Sequence, residues 1–339
     1  MKKIFFSIGV IAIIAIGIVA VPNIAQKSTN NSQKITVVST LFPMYDFAKI
    51  IGGDKVEVFL LLPPGVEAHG YEPKPSDIVK INEAEVFVYT GEFMEPWAHD
   101  IIGGLSNKKL KIVDASTGIE LMKEEGEHKY EHKGEHEHEH DADENHKDEH
   151  GYHHHEGIDP HIWLDFDNAK IIVETITKAL VKVDPPNAIY YQDNAKKFTG
   201  ELTELDNVYK KTLATCQSKQ IVYGGHYAFG YMAKRYGLEY MAAQGFSPDA
   251  EPTAKDMIAL VEQVKKNNIK YIFYEELSSP KIAETLAKET GAQMLLLNGA
   301  HNLTKEDYEN NVTYISLMKS NLQNLSLGLN CQKQYERNY

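Results

Sequence analysis

The stretch NAIYYQDNAKKFTGELTELDNVYKKTLAT, Asn187 to Thr215, decides how the chain is divided. It holds no proline, and its single glycine is Gly200. Phe198, Leu202, Leu205, Val208 and Leu213 recur at helical spacing and mark one apolar face. The spacing predicts one helix roughly 40 Å long at about 1.5 Å per residue. Asp184-Pro185-Pro186 stops whatever precedes it. A helix of that length in mid-chain is a stiff strut between two halves.

Working outward, each half alternates strand and helix. Upstream, strands are expected at 35–40, 56–62, 86–90 and 111–113. Helices are expected at 43–51, from Ser76 or Asp77 to 82, at 96–105 and at 167–183. Pro43 opens the first helix and Gly52-Gly53 closes it, as first-turn proline and terminal glycine favour. Downstream, strands fall at 220–223, 238–242, 271–274 and 293–297. Helices fall at 228–236 and 280–290, ended by Gly237 and Gly291, and at 253–268. A last helix is expected to run from Thr304, paired with Asp307 in a capping arrangement, to about Leu325. Such alternation gives parallel sheets with helices on both faces. The fold class is therefore α/β: two lobes, each with a four-stranded parallel sheet flanked by helices, joined by one long linking helix. The expected division is 1–33 (signal or anchor, plus tether), 34–186 (N-terminal lobe, with an insert at 120–158), 187–216 (linking helix), 217–331 (C-terminal lobe) and 332–339 (tail).

The chain has 339 residues and a formal net charge of −13, a poor match for nucleic acid. The acid is concentrated: Glu120 to Glu156 holds fourteen acids and four lysines, a net −10. Ten of the fifteen histidines share that stretch: His128, His132, His136, His138, His140, His146, His150, His153, His154 and His155. With Gly126, Gly134, Gly151 and, just after it, Gly157, and almost no apolar side chains, it cannot build a core and reads as disordered. Histidine-rich tracts bind transition ions weakly, so it reads as an accessory metal loop. At the N-terminus, Lys2 and Lys3 precede an apolar run from Ile4 to Val21. This is an export signal that fits either cleavage or retention as an anchor. The first 30 residues hold no cysteine, so lipid modification of an N-terminal cysteine is not expected. Export permits a bridge between Cys216 and Cys331, the two cysteines present.

In open parallel sheets, ligands bind beyond the carboxyl ends of the strands. His69, His161, His226 and His301 all fall on loops there, two per lobe. Four imidazoles converging from two lobes suit a divalent transition ion. His99, in a helical stretch after Trp97, reads as structural.

Three segments carry a family resemblance: PPGVEAH (63–69) running on to YEPKPSD (71–77), DPHIWLD (159–165), and HYAFGY (226–231). In this order and spacing the mature chain resembles the metal-binding solute-binding proteins of ABC uptake transporters for zinc and manganese. The resemblance implies two helix-linked α/β lobes and a metal ion held by loop ligands. It also implies an ABC permease in the membrane as partner. Histidine at the third ligand position and a long His-rich insert are, in that family, features of zinc members, so Zn2+ is expected over Mn2+. Many relatives place a carboxylate where this chain has His301, and Glu275 and Glu276 are alternative fourth ligands nearby.

The expected function is extracytoplasmic capture of Zn2+ by a monomer, with no catalysis. A secreted zinc-dependent hydrolase and a metal-dependent surface adhesin are the alternatives. No helix carrying His-Glu-x-x-His is expected, and no Gly-x-Ser-x-Gly elbow is present. Glu67, Asp165, Glu275 and Glu276 are the acids expected to orient the imidazoles. Protonation of the rings below about pH 6.5 is expected to compete with metal.

Overall fold

The computed structural model describes residues 34–123, 157–248 and 251–332. The expected export signal, the histidines of the insert and most of the expected tail lie outside the described residues. Among those described, no helix is long and apolar enough to cross a membrane.

The first sheet is built from β1 (Ile35–Ser39), β2 (Val56–Leu60), β3 (Val86–Tyr89) and β4 (Lys111–Asp114), in the order β2-β1-β3-β4. All pairs are parallel, with Ile35 opposite Val56 and Val86 opposite Lys111. Its helices are α1 (Phe42–Gly52), α2 (Pro75–Glu83), α3 (Trp97–Gly104) and α4 (Phe166–Val183). The helix α5 (Ala188–Ala214) follows, close to the span its apolar periodicity predicted.

The second half repeats the design with α6 (Gly230–Tyr236), α7 (Ala254–Lys266) and α8 (Lys281–Thr290). Its strands are β5 (Gln220–Tyr223), β6 (Glu239–Ala242), β7 (Tyr271–Tyr274) and β8 (Gln293–Leu296), in the order β6-β5-β7-β8 and again all parallel. The two sheets thus share one topology. Each has a switch point between its two central strands, where loops diverge and leave a crevice.

The core is continuous across the spine. Phe47, Phe198 and Tyr314, from α1, α5 and the C-terminal helix, meet edge to face at 5.0–5.2 Å. The α5 strut packs against α1, α4 and α6 along its length. Its C-terminal end is tied to the chain's end by a Cys216–Cys331 disulfide.

One expected element is corrected. The last helix is two: α9 (Lys305–Glu309) and α10 (Tyr314–Gly328). Asn311 adopts φ +53°, a left-handed turn that ends helical propagation. Thr313 then caps the new helix by accepting the amide of Ser316 at 3.2 Å. Asp46 of α1 also accepts the amide of Tyr314 at 2.8 Å, tying α1 to that helix start.

Candidate metal centre

Each histidine is placed by a strand end. His69 follows β2, where the Glu67 carboxylate accepts the backbone amides of His69 and Gly70 at 2.9 and 3.0 Å. Glu67 therefore shapes the loop backbone and makes no hydrogen bond to a ring. His161 follows β4 and the insert, whose two roots are joined by an antiparallel bridge between Lys123 and Ile158. The chain then makes a 3-10 turn, Ile162–Leu164, all three residues buried. His226 follows β5 through Gly224-Gly225. A side chain at Gly225 would collide with the Glu275 carboxylate, its Cβ lying 2.9 Å from Oε2, so glycine lets that acid reach the ring. His301 follows β8. Ala300 before it stands at φ +55°, a conformation costly for a residue with a Cβ and characteristic of functional turns. The carbonyl of His301 accepts the amide of Phe42 at 3.1 Å, satisfying the otherwise uncapped start of α1.

The four rings meet. Their six centroid separations lie between 4.9 and 5.5 Å, the near-equal edges of a tetrahedron. One donor atom from each lies within 4.8 Å of all the others. Nε2 of His161 stands 3.3 Å from Nε2 of His69 and 3.2 Å from Nε2 of His226. A tetrahedral ion with Zn–N near 2.0–2.1 Å spaces its ligand atoms about 3.3–3.4 Å apart.

Two acids fix the tautomers. Nδ1–H of His161 donates to Asp159 Oδ1 at 2.7 Å, and that of His226 donates to Glu275 at 2.9 Å. Each ring then presents a bare Nε2 lone pair to the centre. The Nε2 atom of His301 is buried and has no hydrogen-bond partner. Buried lone pairs aimed at one another are costly unless a cation lies between them. The donor set therefore fits a divalent ion.

Burial disfavours protonation of three of the rings. Desolvation, with repulsion from His226, pulls His69 down to about 3. The same desolvation, with the neighbouring imidazoles, holds His161 and His301 well below the ordinary range. For these three rings burial opposes the proton competition near pH 6.5 expected from isolated imidazoles. Burial raises Asp159 to about 8 and, with repulsion from Glu275, raises Glu276 to about 8. A cation in the cage would reverse both pressures.

The four acids named from sequence separate here. Glu275 touches the His226 ring. Glu276 accepts the Gly299 amide at 3.1 Å and so supports the His301 loop. Asp165 caps α4, accepting from Asp167 N, and pairs with Arg235, so it is corrected from ring partner to helix cap. Asp159, not named from sequence, takes the place expected of Asp165. Its signal was the Asp-Pro-His spacing: Asp159 Oδ1 also accepts the His161 amide at 2.9 Å, a two-residue Asx turn. Trp163 was missed too. Its Nε1–H donates to the Gly299 carbonyl at 2.8 Å, and its ring packs edge-on against His161 and His301. His99 is exposed and is not one of the four converging histidines.

Two helix-linked lobes with a tetrahedral imidazole cage between their strand ends define a solute-binding protein for a metal ion. The chain belongs to the family described as zinc-uptake complex component A, periplasmic, whose model matches residues 37–328. It is 40% identical over 315 residues to the high-affinity zinc uptake system protein ZnuA of Bacillus subtilis, covering 92% of this chain and 94% of that one. It is 38% identical to the zinc-binding lipoprotein AdcA of Streptococcus pneumoniae, covering 96% of this chain and 60% of that longer protein. Among solved structures it is similar to the Zn(II)-bound ZnuA-like domain of Streptococcus pneumoniae AdcA. That match has a TM-score of 0.70 and 35% identity, and covers 87% of this chain and 99% of that one.

Proposed function

We propose that this chain captures one Zn2+ outside the cytoplasm with His69, His161, His226 and His301, and hands it to an ABC permease in the membrane. The observation that carries the reading is the convergence of the four rings at tetrahedral spacing, two of them with Nε2 turned inward by buried acids. An ion held by all four imidazoles keeps no position for water, which supports carriage over hydrolysis. His161, His226 and His301 are buried while His69 is half-exposed, so the ion enters and leaves past His69. The lobe limits 34–186 and 217–331, with 187–216 as the link, belong to the same proposal. So do monomeric action and an accessory role for the histidines of the insert.

Chelator-competition titration tests the reading. The wild type should bind one tight Zn2+ with no turnover of ester or peptide substrates. His161→Ala should weaken binding at least tenfold, about 1.4 kcal/mol. Wild-type affinity in that variant would refute the assignment.

A further inference from the structure

Outside the cage, α6 grips the segment bearing His161 at both of its ends. Tyr231 and Arg235 stand one turn apart on α6, at i and i+4, so both side chains leave the same face. The Tyr231 hydroxyl donates to the Asp159 carbonyl at 3.2 Å and accepts the Met122 amide at 2.9 Å. Arg235 Nη1 donates to both oxygens of Asp165, at 2.9 and 3.2 Å, and to Asp167 at 2.7 Å. Its Nε and Nη2 clasp the two oxygens of Asp206 on α5 at 2.9 and 2.7 Å. Lys210 and the Tyr236 hydroxyl hold Asp206 from the other side, at 2.8 and 2.9 Å. The guanidinium is only 9% exposed and Asp206 4%, far from the ordinary surface ion pair that contributes little.

Between the two grips the chain has no slack. Ile162, Trp163 and Leu164 form a fully buried 3-10 turn, so fixing residues 159 and 165 fixes His161. The gripping helix itself begins four residues after His226. We propose that Arg235, with Tyr231, is a positioning residue of the metal centre: it locks the His161 and His226 segments into one rigid pair. Arg235 touches no ring. It acts through the α4 cap and α5, where its planar fork can bind several carboxylates at once.

The inference rests on the zinc reading above, and its test separates the two. Zn2+ affinity and the visible d–d spectrum of the Co2+ form are measured on the full chain for wild type, Arg235→Met and Tyr231→Phe. Arg235→Met should still take one equivalent, with affinity reduced about tenfold or more. Its Co2+ bands should shift as the tetrahedron distorts, and Tyr231→Phe should shift both readouts the same way by less. A purely structural ion pair would lower the melting temperature and leave affinity and spectrum at wild-type values, which would overturn the inference. Should Arg235→Met fail to fold, Tyr231→Phe decides alone: it removes one hydroxyl, and wild-type affinity and spectrum in it would overturn the proposal. No tight site in the wild type would overturn the zinc reading and this inference with it. A tight wild-type site indifferent to both variants overturns only the inference.

Discussion

Lowering the pH from 7 to 5 separates a preformed cage from four ordinary histidines. An imidazole titrating at 6.5 must shed a proton to bind metal at pH 5, which costs about 2 kcal/mol per ring. Three such rings would weaken capture by about 10^4-fold over that interval. In this protein burial holds His69 down to about 3 and His161 and His301 well below 6.5. Burial thus disfavours the protonated form of these three rings, and their contribution to the pH dependence shrinks. The cost moves into stability. A histidine with a depressed folded pKa binds more protons unfolded, so its stabilising neutrality is complete above 6.5 and is lost as pH falls below it. Each of the three rings removes up to about 1.4 kcal/mol per pH unit in that window. The assay is chelator competition at each pH on protein that circular dichroism shows to be folded, beside thermal unfolding of the apo form. Zn2+ affinity should fall far less than about 10^4-fold between pH 7 and 5, while the apo melting temperature drops steeply. An affinity loss of several thousandfold with an unmoved melting temperature would refute the argument.

Other expectations follow from single contacts. Asp159→Asn should lower Zn2+ affinity by about 10–100-fold, the usual loss when an acid behind a ligating imidazole is removed. The same change should flatten one apo trend. A carboxyl raised to about 8 is stabilising when protonated and loses that advantage as pH rises from about 4 to about 8. Unfolding of apo Asp159→Asn across that range would show whether the slope is lost. Replacing both Cys216 and Cys331 by Ser releases a loop of 115 residues and should cost up to about 5 kcal/mol in denaturant unfolding, with metal affinity unchanged. Joining Lys123 to Gly157 through a short glycine linker, with 124–156 deleted, should keep one tight site by titration, because the Lys123–Ile158 bridge already brings the ends together.

How much of this was legible beforehand depended on range. The strands were readable because runs such as Ile35–Ser39 and Gln220–Tyr223 are β-branched or aromatic and end at turn residues. The strut was readable because one apolar face persists through α5. The four ring positions could be named because each follows a strand at its carboxyl end, a topological fact. Asp159 lies two residues before His161 and Asp165 four residues after it, and spacing alone does not say which reaches the ring. Only the 3-10 turn at Ile162–Leu164 sends one carboxylate to the ring and the other to cap α4. The break after α9 was hidden by an apolar period that continues through Tyr314 and Leu317, although Asn310-Asn311 and the Thr313 cap were there to be read. The depressed imidazoles could not be foreseen, because desolvation arises from both lobes closing around the rings.

The central claim is that four imidazole nitrogens, and no carboxylate, bind the transported ion. A crystal structure of the zinc-loaded protein, with anomalous data on both sides of the zinc absorption edge, tests it most directly. The account predicts one anomalous peak bonded to Nε2 of His161 and His226 and to a ring nitrogen of His69 and His301, at about 2.0–2.1 Å each. Asp159 and Glu275 should remain behind the His161 and His226 rings. A peak bonded by Glu275 or Glu276 in place of His301, or one with a water completing the tetrahedron, would contradict it.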